Sequence, residues 1–281
     1  MPGSRPLPYG RGSVGNHRVD GGSDLVKIVV CVKQVPARDS VIRASTAGGW
    51  IETEDLTLEM NEPDAYALEE ALRVKEEHGG EVLAVSAGPE SASSTLREAL
   101  AKGADRALLI EDERFARADP LTTARALAAA LKDESPDLIL TGLQSDDTGF
   151  GQTGVVLAEL LGLPAATIIM EVALADGRLR LKRELESGWF QRVEMPLPAL
   201  LTIQSGINKP RYATLMGIKR SKKKPFDRKT AGDLGIGLDQ AVELRRLYVP
   251  EKEKQTQFLS GSAREQAAQL IEKLRFEARV L

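Results

Sequence analysis

The run Thr141-Gly142-Leu143-Gln144-Ser145-Asp146-Asp147-Thr148-Gly149-Phe150-Gly151-Gln152-Thr153-Gly154 sets four glycines among hydroxyl, amide and carboxylate side chains. It follows the apolar stretch Leu138-Ile139-Leu140 and leads into a helical pattern from Val155 to Leu161. In an open α/β sheet, a loop between a strand's carboxyl end and a helix start is where a phosphate is held: glycines let the backbone come close, and the helix's first N–H groups attract an anion. The chemistry suggested is nucleotide binding. An ordinary glycine-rich turn has the same appearance, and neither well-known phosphate motif stands in its usual place: the Gly-x-Gly-x-x-Gly spacing of Gly149 to Gly154 does not follow the strand directly, and no Gly-Lys-Ser/Thr follows the glycines.

Other chemistries have few residues to work with. The 281 residues include two histidines, His17 in a polar leader and His78 before Gly79-Gly80, both read as solvated. Zinc sites and Ser-His-Asp triads lose their usual supplier. Cys31 is the single cysteine, which excludes an internal disulfide and a cysteine metal cluster and fits a reducing cytoplasm. The formal charge of -3 comes from nearly balanced acids and bases, so no global field marks a nucleic-acid binder. No run of about 18 apolar residues is long enough to insert in a bilayer. Any redox or group-transfer chemistry is therefore expected to belong to a bound cofactor.

The elements that must position the loop alternate in type. Residues 1–24, rich in Gly, Pro, Ser and Arg, read as a disordered leader or an over-extended start. Leu25 to Val32 reads as a buried strand, Val41 to Arg43 and Trp50 to Glu52 as a hairpin about Gly48-Gly49, and Pro63 to Glu77 as a helix with Ala67, Leu68, Ala71 and Leu72 on one face. Strands at Val82 to Ser86 and Arg106 to Ile110 alternate with helices at Ser93 to Lys102 and Pro120 to Lys132. Four more strands span Thr167 to Val172, Arg178 to Leu185, Arg192 to Met195 and Ala199 to Ile203. Repeated βα units predict a doubly wound, mostly parallel sheet with helices on both faces. The predicted nucleotide-binding domain runs from 25 to 227. The remaining 228–281 reads as an extended C-terminal arm whose last helix, Ala263 to Phe276, carries an apolar stripe at Ala267, Leu270, Ile271 and Leu274.

Three strand ends carry unusual polar or small segments: Cys31-Val32-Lys33-Gln34-Val35-Pro36, Ser86-Ala87-Gly88-Pro89 and the glycine-rich loop. In a doubly wound sheet these ends converge on one crevice. Met60-Asn61-Glu62-Pro63-Asp64, a helix start with Pro in its first turn, is placed to close it.

With these residues assembled, the chain closely resembles the electron transfer flavoprotein beta subunit family from Lys27 to about Asp227. The shared segments are Val32-Lys33-Gln34-Val35-Pro36, Met60 to Ala71, Gly103-Ala104-Asp105-Arg106, Gly142 to Asp147, Lys182-Arg183-Glu184-Leu185-Glu186 with Pro198 to Thr202, and Asn208 to Leu215. The resemblance implies a Rossmann-like fold of the adenine nucleotide alpha hydrolase type. It also implies a heterodimer with an alpha subunit that carries most of a redox FAD site. It implies AMP in the beta crevice, or a second FAD with NADH docking beside it in bifurcating members, which would have NADH-dependent flavin oxidoreductase activity.

Carried over by position, Cys31, Asn61, Glu62, Pro63, Asp64, Ala87 and the run Gly142 to Thr153 line the nucleotide, with the Gln152, Thr153 and Gly154 amides nearest the phosphate. Thr148 and Gly151 stand where the family usually has an acid and an asparagine, leaving AMP or FAD open. Leu181 and Ser187 depart from the common form of the segment around Glu184. By resemblance Glu184 influences electron transfer at the flavin, and the C-terminal arm docks on the alpha subunit. Arg211, Tyr212 and Leu215 fall in a recognition loop for flavin dehydrogenases such as acyl-CoA dehydrogenases, with a membrane quinone oxidoreductase as an acceptor. The Lys219 to Lys224 run reads as a solvated face able to steer an acidic partner.

A reading from another class keeps the same βα pattern: an adenine-nucleotide sensor, or an ATP-pyrophosphatase relative. The latter needs Ser-Gly-Gly-x-Asp-Ser after its first strand, where this chain has Lys33-Gln34-Val35-Pro36.

Overall fold

A computed structural model describes residues 25–45, 49–250 and 256–281. The leader at 1–24, His17 and Gly48 lie outside the described residues. The chain divides into two compact units, one of residues up to Ile42 with Thr53–Glu243, the other of Arg43–Glu52 with Leu244–Leu281.

In the first unit the chain runs β1 (Val26–Cys31), β2 (Gln34–Pro36), β3 (Leu58–Met60), α1 (Glu62–His78), β4 (Gly80–Gly88), α2 (Ser93–Lys102), β5 (Arg106–Glu111), α3 (Pro120–Leu131), β6 (Leu138–Gly142) and α4 (Thr153–Leu161). It continues through β7 (Ala165–Ala175), β8 (Arg178–Glu184), β9 (Phe190–Pro196), β10 (Ala199–Ile203), α5 (Leu215–Ser221) and β11 (Phe226–Thr230). The strands and helices predicted for the βα core are present with ends moved by a few residues. Among the described residues nine strands form one sheet in the order β11-β5-β4-β1-β6-β10-β7-β8-β9. The first seven in that order run parallel, and β7, β8 and β9 pair antiparallel.

The centre of the sheet is buried on both faces because its strands are continuous apolar runs. Alternate side chains of β1 serve opposite layers. Ile28 and Val30 pack with Leu68, Leu72 and Leu96 of α1 and α2, whereas Val29 and Cys31 pack with Leu127, Leu131 and Leu157 of α3 and α4. Each fully buried Leu or Ile contributes about 1.5–3 kcal/mol relative to exposure. Since β1 leads into α1 on one face and its neighbour β6 leads into α4 on the other, the strand order reverses between them. Ligands bind at such a switch point, outside the carboxyl ends of the strands.

Four elements have no counterpart in the sequence reading: β2 and β3, which pair antiparallel from Gln34↔Met60 to Pro36↔Leu58, and α5 and β11. α5 is only seven residues long, started by Thr214, whose hydroxyl accepts from the Gly217 N–H. β11 is a charged edge strand in parallel register with β5 from Phe226↔Ala107 to Thr230↔Glu111. A domain boundary after Asp227 therefore cuts through a strand, and the segment up to Glu243 belongs with the sheet.

In the second unit, Ala44 and Ile51 form a single antiparallel bridge in place of a full hairpin. α6 (Ala263–Glu272) opens with a capping box in which the Ser262 and Glu265 side chains satisfy each other's backbone N–H groups. Leu270 and Ile271 of its apolar stripe are about half exposed within this chain. No helix among the described residues is long and apolar enough to cross a membrane.

Candidate functional site

The β1, β4 and β6 ends open into a cleft with about 800 Å³ of empty space, open solvent included. Of the residues assigned to the nucleotide, Cys31, Asn61, Asp64, Ala87, Gly142, Gln144, Ser145, Thr148, Phe150, Gly151, Gln152 and Thr153 line it. Glu62, Pro63, Asp146, Asp147 and Gly149 are not part of that lining. Glu62 pairs with Arg38, Asp146 lies 3.7 Å from the same guanidinium, and Asp147 pairs with Lys33.

The start of α1 pins the loop. Buried Asp64 accepts from the Lys33 N–H at the end of β1 (2.8 Å) and from the Gly142 N–H at the end of β6 (2.9 Å), tying the two switch-point strands together. Asn61 uses both ends of its amide, donating to the Gln144 carbonyl (3.0 Å) and accepting from the Asp146 N–H (2.9 Å). Gly142 is required by close approach, since a Cβ there would sit 2.3 Å from Asp64 Oδ1 and 2.7 Å from Pro63 Cβ. Gly151 takes φ +63°, the left-handed region that glycine enters without strain.

α4 begins at Thr153 with no side-chain cap, so its first N–H groups stay open at the cleft. Gly154 brings that helix start against the sheet, where a Cβ would meet Thr141 Oγ1 at 2.6 Å.

Burial pushes the Asp64 carboxyl up to about 7, against the lowering pull of the Lys33 N–H, the Asn61 side chain, the Gly142 N–H and the Lys33 charge. Burial, with the Asp64 charge adding to it, pushes the Cys31 thiol up to about 12. Cys31 is thus a neutral piece of wall rather than a nucleophile.

The opposite wall was missed from sequence. It consists of Phe115, Ala118, Pro120, Thr123 and Leu127, with Val85 of β4. Its one local signal is Asp119-Pro120 after β5: Asp119 caps α3 by accepting from the Thr122 N–H at 2.7 Å, with Pro120 in the first turn. Phe115 had no such signal, standing with Ala116 among the charges of Glu113, Arg114 and Arg117.

A family model of the electron transfer flavoprotein domain matches residues 49–234. The chain is 38% identical over 257 residues to the electron transfer flavoprotein subunit beta of Methylophilus methylotrophus, covering 88% of this chain and 97% of that one. It is 37% identical to the mitochondrial electron transfer flavoprotein subunit beta of Arabidopsis thaliana, over 91% of this chain and all of that one. The subunit from Bacillus subtilis is also 37% identical, over 79% and 88%.

The chain belongs to the electron transfer flavoprotein beta subunit family.

As a member of that family it is a component of an electron transfer flavoprotein. The remaining sequence-assigned positions lie away from the cleft lining. Glu184 ends β8, and its Oε2 accepts from Gln204 Nε2 at 3.2 Å. Tyr212 and Leu215 project from the surface at 90% and 86% exposure. Arg211 is turned the other way, onto α1: its Nε donates to Glu69 Oε2 (2.8 Å), one terminal nitrogen to Glu69 Oε1 (2.9 Å), and both terminal nitrogens to Glu76. Asn208 holds the same helix through the Tyr66 carbonyl and Glu70.

Proposed function

We propose that the cleft holds AMP. With an electron transfer flavoprotein alpha subunit, the chain forms a carrier that accepts electrons from flavin dehydrogenases, acyl-CoA dehydrogenases among them. The carrier passes them to an acceptor such as a membrane quinone oxidoreductase. FAD at the interface of the two subunits supplies the electron-carrying chemistry when bound. The single observation that carries the nucleotide reading is the uncapped start of α4 opening into a cleft at the switch point, beside the small residues Ala87 and Gly142.

The residues present fit a nucleotide monophosphate. Thr153 and Gly154 offer N–H groups to an anion, Val85, Phe115 and Leu127 offer an apolar wall to a base, and Asn61 fixes the loop between them. None of these side chains is a nucleophile or proton carrier in this reading; they bind and orient. Glu184, held by Gln204, is assigned to tuning the shared flavin site. Tyr212 and Leu215 are assigned to the dehydrogenase, and the α6 stripe to the alpha subunit. A cytoplasmic location belongs to the same reading.

The test is to denature the purified alpha-beta complex and quantify the nucleotides released. One FAD and one AMP per heterodimer is the expected result. Two FAD per heterodimer would instead identify a bifurcating form with flavin in this cleft, and FAD alone at one equivalent would overturn the assignment of the cleft to a nucleotide.

A further inference from the structure

An anion site ought not to carry carboxylates, yet Asp146 and Asp147 stand in the middle of the loop that frames this one. Both are matched by cations from the segment that follows β1. Arg38 lies beside Asp146, and Lys33 Nζ donates to the two Asp147 oxygens at 2.6 and 2.7 Å. The order of these groups is informative: Lys33, Ser145 and Thr148 line the cleft, whereas Asp147 does not. The ion pair thus joins a residue of the cleft lining, Lys33, to a carboxylate outside it. The ammonium also reaches Ser145 Oγ at 3.4 Å and Thr148 Oγ1 at 3.5 Å, and those hydroxyls lie 3.0 Å from each other.

Resting on the nucleotide reading above, we infer that Lys33 is a positioning residue for the nucleotide: it screens the Asp147 carboxylate from the bound phosphate and braces the loop from Ser145 to Thr148. The Asp147 side chain is 23% exposed and that of Lys33 40%, so water screens the pair in part and the charge acts at short range. Although burial raises the Asp147 carboxyl, the Lys33 charge and hydrogen bonds from Lys33, Ser145 and the Thr148 N–H hold it below the usual carboxylate range. At neutral pH it is ionised and needs its partner. Without Lys33 the cleft presents an uncompensated negative charge to a phosphate, a change worth about tenfold or more in affinity for groups a few ångströms apart.

The test uses the alpha-beta complex, with FAD content as an internal control for folding of the shared site. Nucleotide released from the cleft and uptake of added AMP by stripped complex are both measured for wild type, Lys33→Met, Asp147→Asn, the double variant and Lys33→Arg. The expected pattern is roughly tenfold weaker AMP binding in Lys33→Met, binding tighter than wild type in Asp147→Asn, where the repelling charge is gone and Lys33 remains, rescue by the conservative Lys33→Arg, and recovery in the double variant, which removes both charges. Equal AMP binding in wild type and Lys33→Met overturns the inference. So does a double variant as defective as Lys33→Met, because a purely mechanical brace is not rescued by removing the carboxylate. A wild-type complex that neither carries nor takes up adenine nucleotide overturns the cleft reading, and this inference with it.

Discussion

Helix α1 supports two irregular segments, and it treats them oppositely. Its first turn, through Asn61 and Asp64, grips the loop from Gly142 to Asp146 by backbone groups and turns that loop's polar atoms around a cleft. Its middle, through Glu69, Glu70 and Glu76, grips Asn208 and Arg211 by side chains and leaves Tyr212 and Leu215 standing in solvent. A ligand site requires its donors to be fixed in place before the ligand arrives, so the brace acts on the backbone itself. A docking surface requires only that an apolar side chain stay outward, so bracing one end of the segment with a guanidinium fork is sufficient. The difference has a physical consequence: breaking the first brace strands buried N–H groups, and breaking the second strands a nearly buried carboxylate but leaves the cleft intact.

The largest effect is expected at Asp64. Asp64→Ala leaves the N–H groups of Lys33 and Gly142 without acceptors, for a loss of about 2–4 kcal/mol in denaturant unfolding of the complex, together with loss of nucleotide. The loss depends on pH in a definite direction. The native Asp64 holds its proton up to about 7, whereas its ordinary value is 3.8, so the folded state binds a proton that the unfolded chain has released. Its contribution is complete below the unfolded value and fades as pH rises through about 7, at no more than about 1.4 kcal/mol per pH unit. The stability gap between wild type and Asp64→Ala is therefore expected to be wider at pH 5 than at pH 8. A gap that stays flat or widens toward pH 8 would contradict the protonated carboxyl.

Arg211→Ala comes next, and it sharpens the contrast between the two braces. Glu69 is 7% exposed and loses both of its charge-assisted hydrogen bonds, which is worth about 2 kcal/mol. Hydrogen exchange over residues 207–214 is expected to speed up, while nucleotide content stays at the wild-type level. Loss of nucleotide in Arg211→Ala would show that the two ends of α1 are not independent supports.

The first brace was largely legible in sequence and the second was not. Asn61-Glu62-Pro63-Asp64 announces a helix start, and Leu138 to Leu161 announces strand, loop and helix, because both are local patterns with their own period and punctuation. By contrast, Glu69-Glu70 in a helix reads as a solvated pair, and nothing nearby reveals that both are buried. Glu69's partner, Arg211, is 142 residues away. α5 escaped for another reason: seven residues containing Gly217 have too few turns to show a period, and that glycine is fixed by packing, since a Cβ would lie 2.2 Å from the Ala101 carbonyl. Lys33 was visible as a residue of the β1 end, but its role depends on Asp147, 114 residues later.

The smallest effect on stability, and the sharpest on function, is expected at Leu215. Its side chain is 86% exposed at the start of α5, and Thr214 caps that helix through its own hydroxyl. Leu215→Ala thus removes no buried contact and keeps the cap, so unfolding is expected to shift by less than about 0.5 kcal/mol. If the proposed docking role holds, the same methyl groups become buried in a dehydrogenase pocket, where a leucine is worth about 1.5–3 kcal/mol, or tenfold and more in binding. The KM for the flavoprotein in a dehydrogenase assay is then expected to rise about tenfold with kcat little changed, because the flavin site is untouched. Nucleotide and FAD content serve as controls. An unchanged KM would return Leu215 to the class of incidental surface leucines and remove the functional half of the contrast between the two segments on α1.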